Sequence, residues 1–159
     1  MMDRTPKTKI LPTEQIIEMV KLQLEEQNCA SLNITGTSMR PMLNHLRDRV
    51  LLKKPETLSK GDIILYQREN GRYILHRIIY KEAGGYICSG DNQWEKEHIR
   101  ESWVIAVVTD FYKKEERYSI SHKGYRLYAW LWRMLFPVRR PLLWLARRAY
   151  RIGKKLFGG

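Results

Sequence analysis

The chain has 159 residues, 43% of them apolar, which is enough for one domain with its own core plus appended segments. Its formal charge of +12 is uneven: residues 1–116 hold 18 Lys and Arg against 17 Asp and Glu, whereas residues 117–159 hold 11 against none. Cys29 and Cys88 stand far apart and in no metal-ligand spacing, which argues against a disulfide framework or a zinc site and for two free thiols.

The N-terminal stretch through Gln23 contains no run of 7 to 15 apolar residues, so no signal-peptide core is expected there. After Pro12, Thr13 reads as an N-cap, and Ile16, Ile17, Met19, Val20, Leu22 and Leu24 supply an apolar face that predicts a helix over 14–27. No second helix follows at turn spacing, so residues 1–30 form a helical segment and not a helix-turn-helix reader of DNA.

From Ser31 to Ser121 the texture changes to short β-rich runs, "RVLLKK", "DIILYQ", "YILHRIIY", "GYICSG" and "WVIAVVTDFY". These predict a small antiparallel β-domain, and the fold class is mainly β. Turn chemistry separates the runs at Lys60-Gly61-Asp62, Asn70-Gly71 and Gly84-Gly85, with Asn70-Gly71 the strongest hairpin signal.

Residues 122–159 read as a basic amphipathic tail. Arginines interrupt its apolar residues too often for a bilayer-spanning run, so an interfacial pair of helices is expected. Pro137 and Pro141 flank Arg139-Arg140, which predicts a turn there and a second helix with Pro141 in its first turn. In that helix Arg147, Arg148, Arg151, Lys154 and Lys155 share one face, and Leu145, Ala149, Ile152 and Leu156 another. Trp130, Trp132 and Trp144 lie among leucines, which favour insertion at a headgroup boundary and add nothing to base stacking. The expected partner of the tail is therefore an anionic membrane surface, with a helix hairpin packed on the core the second reading and nucleic acid the third, and the chain is expected to be peripheral on the cytoplasmic membrane, on either side.

The stretch "ITGTSMRPML" places Ser38 between a small-residue turn and Met-x-Pro. A serine hydroxyl attacks only when a neighbouring base takes its proton, and His76 in the strand "YILHRII" is the candidate. Strand alternation puts Ile74, His76 and Ile78 on one side and Leu75, Arg77 and Ile79 on the other, which leaves Arg77 a structural or surface role. An acid must then orient the imidazole; Asp91 in "SGDN" is preferred, with Glu97 the alternative. Pro41 is expected to fix the turn after Ser38, and Met39 to pack beneath it or shape a substrate cleft. His45, His98, His122, Lys60 and Lys81 are read as non-catalytic.

The ordered series "GTSMRPM", "KGDIILY", "LHRII", "SGDN" and "WVIAVV" resembles the signal peptidase family, in its histidine-containing archaeal, endoplasmic-reticulum and spore-former branch, within a superfamily shared with LexA-type self-cleaving proteases. The resemblance covers residues 33–112. It implies a serine endopeptidase acting on peptide or precursor-protein substrates held in extended form, with Ser38 as nucleophile, His76 in the place of the lysine of the standard bacterial enzymes, and no metal or organic cofactor. It also implies that Gly36, Thr37, Met39 and Pro41 surround the oxyanion and the substrate, with Gly36 standing where many signal peptidases carry a serine. Other outcomes of the same pattern are a LexA-like self-cleaving regulator and a non-catalytic membrane adaptor.

Overall fold

The computed structural model describes residues 12–157, without the side chains of Arg147 and residues 152–157. The first eleven residues, and the basic and apolar helix faces expected through Arg147, Ile152, Lys154, Lys155 and Leu156, lie outside what is described.

Helix α1 (Thr13–Gln27) begins one residue earlier than its periodicity predicts. Pro12 and not Thr13 is its N-cap, and no side chain caps it, since Thr13 already has helical backbone. Asn28 closes the helix in the left-handed conformation. Eight strands follow: β1 (Ala30–Asn33), β2 (Asp48–Lys53), β3 (Ile63–Gln67), β4 (Tyr73–Glu82), β5 (Gly85–Ser89), β6 (Glu97–Arg100), β7 (Val104–Lys113) and β8 (Glu116–Ser119). The chain ends in α2 (Lys123–Met134), a short 3-10 turn over Phe136–Val138, and α3 (Arg139–Phe157), which carries Pro141 in its first turn.

All pairings are antiparallel, in the order β1-β2-β7-β3-β4-β5-β6 with β8 on β7. Asn70-Gly71 makes the β3–β4 hairpin: Gly71 has φ +80°, and Asn70 Oδ1 accepts the Arg72 amide at 3.1 Å. This turn fixes the register Ile64 opposite His76 and Tyr66 opposite Ile74.

The core has two parts. Ile17, Val20 and Leu24 of α1 bury against Val50, Leu52, Leu65 and Val108 of the sheet and against Met39 and Leu43. A second cluster holds Ile64, Tyr66, Ile78, Cys88 and Ile99. Strand β4 therefore divides two apolar environments: Tyr73 and Leu75 pack on the first cluster, Ile74 and Ile78 on the second. His76 belongs with Ile74 and Ile78, and Arg77 faces the other way.

Candidate active site

Ser38 lies in the turn that leaves β1. Gly36 bends the chain with φ +92°, a conformation that strains any L side chain, which accounts for glycine where a serine might stand. His45 Nδ1 accepts the Gly36 amide at 2.8 Å, and the Arg40 amide donates to the Thr37 carbonyl at 3.2 Å. Met39, Met42 and Leu43 are buried and pin the turn from below, whereas Gly36, Thr37 and Pro41 are exposed and Ser38 is half-buried. The Arg40-Pro41 peptide is cis.

His76 is 3% exposed. Its Nδ1 stands 3.3 Å from Glu97 Oε1 and 3.2 Å from the Tyr66 hydroxyl. Tyr66 Oη donates to Glu97 Oε2 at 2.9 Å, and Arg68 Nε reaches the same oxygen at 2.9 Å while its Nη2 contacts Glu97 Oε1. Burial works against the Glu97 charge, but hydrogen bonds from His76, Arg68 and Tyr66 prevail and hold its carboxyl down to about 2. Burial, then the Glu97 charge, push the Tyr66 phenol up, so it stays a donor. The same two causes push the Cys88 thiol behind this group up to about 12.

The other face of the imidazole meets Gly90. A Cβ added at Gly90 would lie 3.1 Å from His76 Nε2 and 2.6 Å from the Ser38 carbonyl oxygen, so those two atoms are no farther apart than the two distances laid end to end. The Asn92 amide donates to that Ser38 carbonyl at 2.7 Å, and Asn92 Nδ2 to the Thr37 carbonyl at 3.3 Å. Positions 38, 76, 90–92 and 97, remote in sequence, thus converge. The backbone of the Ser38 turn, an imidazole and a carboxylate stand in series.

Asp91, preferred from the sequence as the acid that orients His76, corrects that expectation. Its carboxylate forms a two-point pair with Arg77, Nε to Oδ1 at 2.8 Å and Nη2 to Oδ2 at 2.7 Å, with both side chains fully buried. The cause is alternation: Arg77 points to the opposite face of β4 from His76, and Asp91 follows Arg77. Burial opposes the Arg77 charge, but Asp91 raises its pKa. Arg77 Nη1 also donates to the Gly61 carbonyl at 2.8 Å and Tyr125 Oη at 3.0 Å.

Helix α2 is built into this centre and is not a loose appendage. Tyr128 Oη reaches Asp91 Oδ2 at 3.4 Å, and Trp132 Nε1 donates to the Asp91 carbonyl at 3.0 Å. Arg139, at the start of α3, is wholly buried; its Nη1 donates to the carbonyls of Gly90 at 3.1 Å and Gln93 at 3.3 Å, and its Nη2 to Trp132 O at 2.6 Å. Desolvation lowers its pKa. Tyr66, Arg68 and Arg139 were given no functional role from sequence, and Gly90 was read only as part of the Gly-Asp-Asn turn. Gly90, between a strand and Asp91, carried the one available signal, because a glycine where backbone closes on a side chain is a packing requirement.

A groove of about 700 Å³ opens beside Ser38, walled by Ile16, Met19 and Val20 of α1, by the Ser31–Ile34 stretch, and by Tyr73, Ile74 and Leu75 of β4. Among the described residues β1 pairs with β2 alone, so its other edge carries no strand there.

A family model described as Peptidase S24-like matches residues 4–109, two thirds of the chain and all six positions of the cluster. No curated protein matches the chain.

Proposed function

The chain belongs to the S24-like peptidase family, and from that premise we propose that it is a serine endopeptidase of signal-peptidase type in the histidine-containing branch. Ser38 Oγ attacks the scissile carbonyl. His76 Nε2 takes the hydroxyl proton and returns it to the leaving amine, and Glu97 holds the Nδ1 proton and stabilises the imidazolium that forms. Arg68 and Tyr66 keep Glu97 ionised and aimed.

The Gly36 amide is already given to His45, whereas the Ser38 amide donates to no group among the described residues and is the backbone donor available to the oxyanion. The substrate is a leader-bearing or membrane-proximal precursor segment. It adds in extended form to the free edge of β1, with main-chain hydrogen bonds giving affinity and the apolar groove walls choosing side chains near the cut.

The observation that carries this reading is the placement of His76: one nitrogen on Glu97, the other against the glycine that touches Ser38. Incubation of a diverse peptide mixture with wild type and Ser38→Ala, followed by mass spectrometry of new termini, tests it. New termini with wild type alone support the reading; the same termini with both proteins, or none with either, contradict it.

A further inference from the structure

Helix α2 carries two apolar faces, and the fold uses only one. Tyr125, Tyr128, Ala129 and Trp132 turn inward, Tyr125 and Tyr128 onto the Arg77–Asp91 pair and Trp132 onto the Asp91 backbone. On the far side Leu127, Trp130, Leu131 and Met134, at i, i+3, i+4 and i+7, are 58%, 49%, 46% and 59% exposed. Four large apolar side chains in register on one helix face are not the scattered exposed residues of an ordinary surface.

The face continues past the 3-10 turn. Val138, Leu142 and Leu145 are 51%, 44% and 56% exposed, and beyond Leu143 every described side chain of α3 is exposed. Among the described residues no helix is long and apolar enough to cross a membrane. Charge names the occupant. From Arg117 onward the chain has 11 basic residues and no acidic one. Lys123, Arg126, Arg140, Arg148 and Arg151 flank the apolar strip and are exposed. An apolar protein partner or a second copy would have to bury these cations against its own, whereas a bilayer with anionic headgroups accepts the leucines and neutralises the arginines together.

We propose that the outward face of α2 and the start of α3 form a docking surface for an anionic lipid bilayer. The inward face of the same helix braces the Gly90–Gln93 loop against Ser38, so docking holds the Ser38 turn one helix and one loop away from the lipid. The proposal concerns the helix surface and stands apart from the reactivity of Ser38.

The test is co-sedimentation of the full chain with vesicles of phosphatidylcholine alone or with about 30% phosphatidylglycerol. Wild type and Ser38→Ala are expected to bind the anionic vesicles alike and the neutral ones weakly, with binding falling as salt rises. Leu127→Glu/Leu131→Glu, confirmed folded by its thermal melt, is expected to lose at least about tenfold in partitioning. Lys123→Gln/Arg126→Gln/Arg148→Gln is expected to lose affinity for anionic vesicles while keeping its weak affinity for neutral ones. Absence of binding to anionic vesicles at low salt, or undiminished binding by the folded leucine variant, overturns the proposal. So does a concentration-dependent dimer that the leucine variant dissociates while no vesicle is bound.

Discussion

His76 Nδ1 stands 3.3 Å from Glu97 Oε1, and Glu97 in turn collects Tyr66 and Arg68. A carboxylate so held fixes both the tautomer and the tilt of the ring and leaves Nε2 on the side of Gly90. Glu97→Gln is therefore expected to lower kcat by about 10²- to 10⁴-fold with little change in KM, because the group acts on the transition state and not on substrate binding. Steady-state kinetics on any cleaved peptide check this; a loss confined to KM would place Glu97 in the groove instead.

The low pKa of Glu97 has a stability consequence with a definite sign. Its folded value of about 2 lies below the ordinary 4.5, so its ionised contacts stabilise the fold above pH 4.5, and that stability is lost as pH falls through the interval towards 2. Glu97→Gln lacks this titration. The gap in melting temperature between wild type and variant should be widest above pH 5 and narrow steadily towards pH 2. A gap independent of pH would show that the carboxylate charge contributes nothing.

Arg77 and Asp91 make the converse case, a buried pair that holds the fold together. Asp91→Asn leaves the Arg77 guanidinium uncompensated in a site without solvent and should cost about 3–5 kcal/mol in urea unfolding. Arg77→Met/Asp91→Leu, which removes both charges, should recover much of that loss. Equal destabilisation by the single and double variants would mean that the pair acts through shape alone.

At Gly90 the fold leaves no space. A methyl group there would press on the Ser38 carbonyl at 2.6 Å, Gln93 Oε1 at 2.7 Å and His76 Nε2 at 3.1 Å. Gly90→Ala should keep its secondary structure, lose about 1–3 kcal/mol of stability and drop in kcat/KM by about 10²-fold, since a displacement of one ångström is enough to misalign the hydroxyl and the base. Circular dichroism together with kinetics on the same preparation separates these effects.

Much of the fold was written locally. The Asn70-Gly71 hairpin and the five apolar strands follow from turn chemistry and periodicity, whereas the break expected at Arg139-Arg140 falls earlier, over Phe136–Val138, with both arginines inside α3. The strands absent from that reading, β1, β6 and β8, are four residues each, too short for alternation to show, and β6 and β8 are mostly polar or charged. Asp91 was preferred over Glu97 because it stands in the Gly-Asp-Asn element of the resemblance, although alternation on β4 sets His76 and Arg77 on opposite faces and it is Arg77 that takes Asp91. Helix α2 was read first as part of a basic surface tail because its leucines and tryptophans lie among arginines. Periodicity identifies two stripes without saying which of them Arg77 and Asp91 will claim.

The central claim is that His76 takes the Ser38 proton, and covalent labelling tests it without knowledge of the substrate. Wild type treated with a small fluorophosphonate and digested for mass spectrometry should carry one adduct, on Ser38, with labelling slowed at least about tenfold in Glu97→Gln and abolished in His76→Ala. Label on another residue, or unchanged labelling of Ser38 after the histidine is removed, would contradict it.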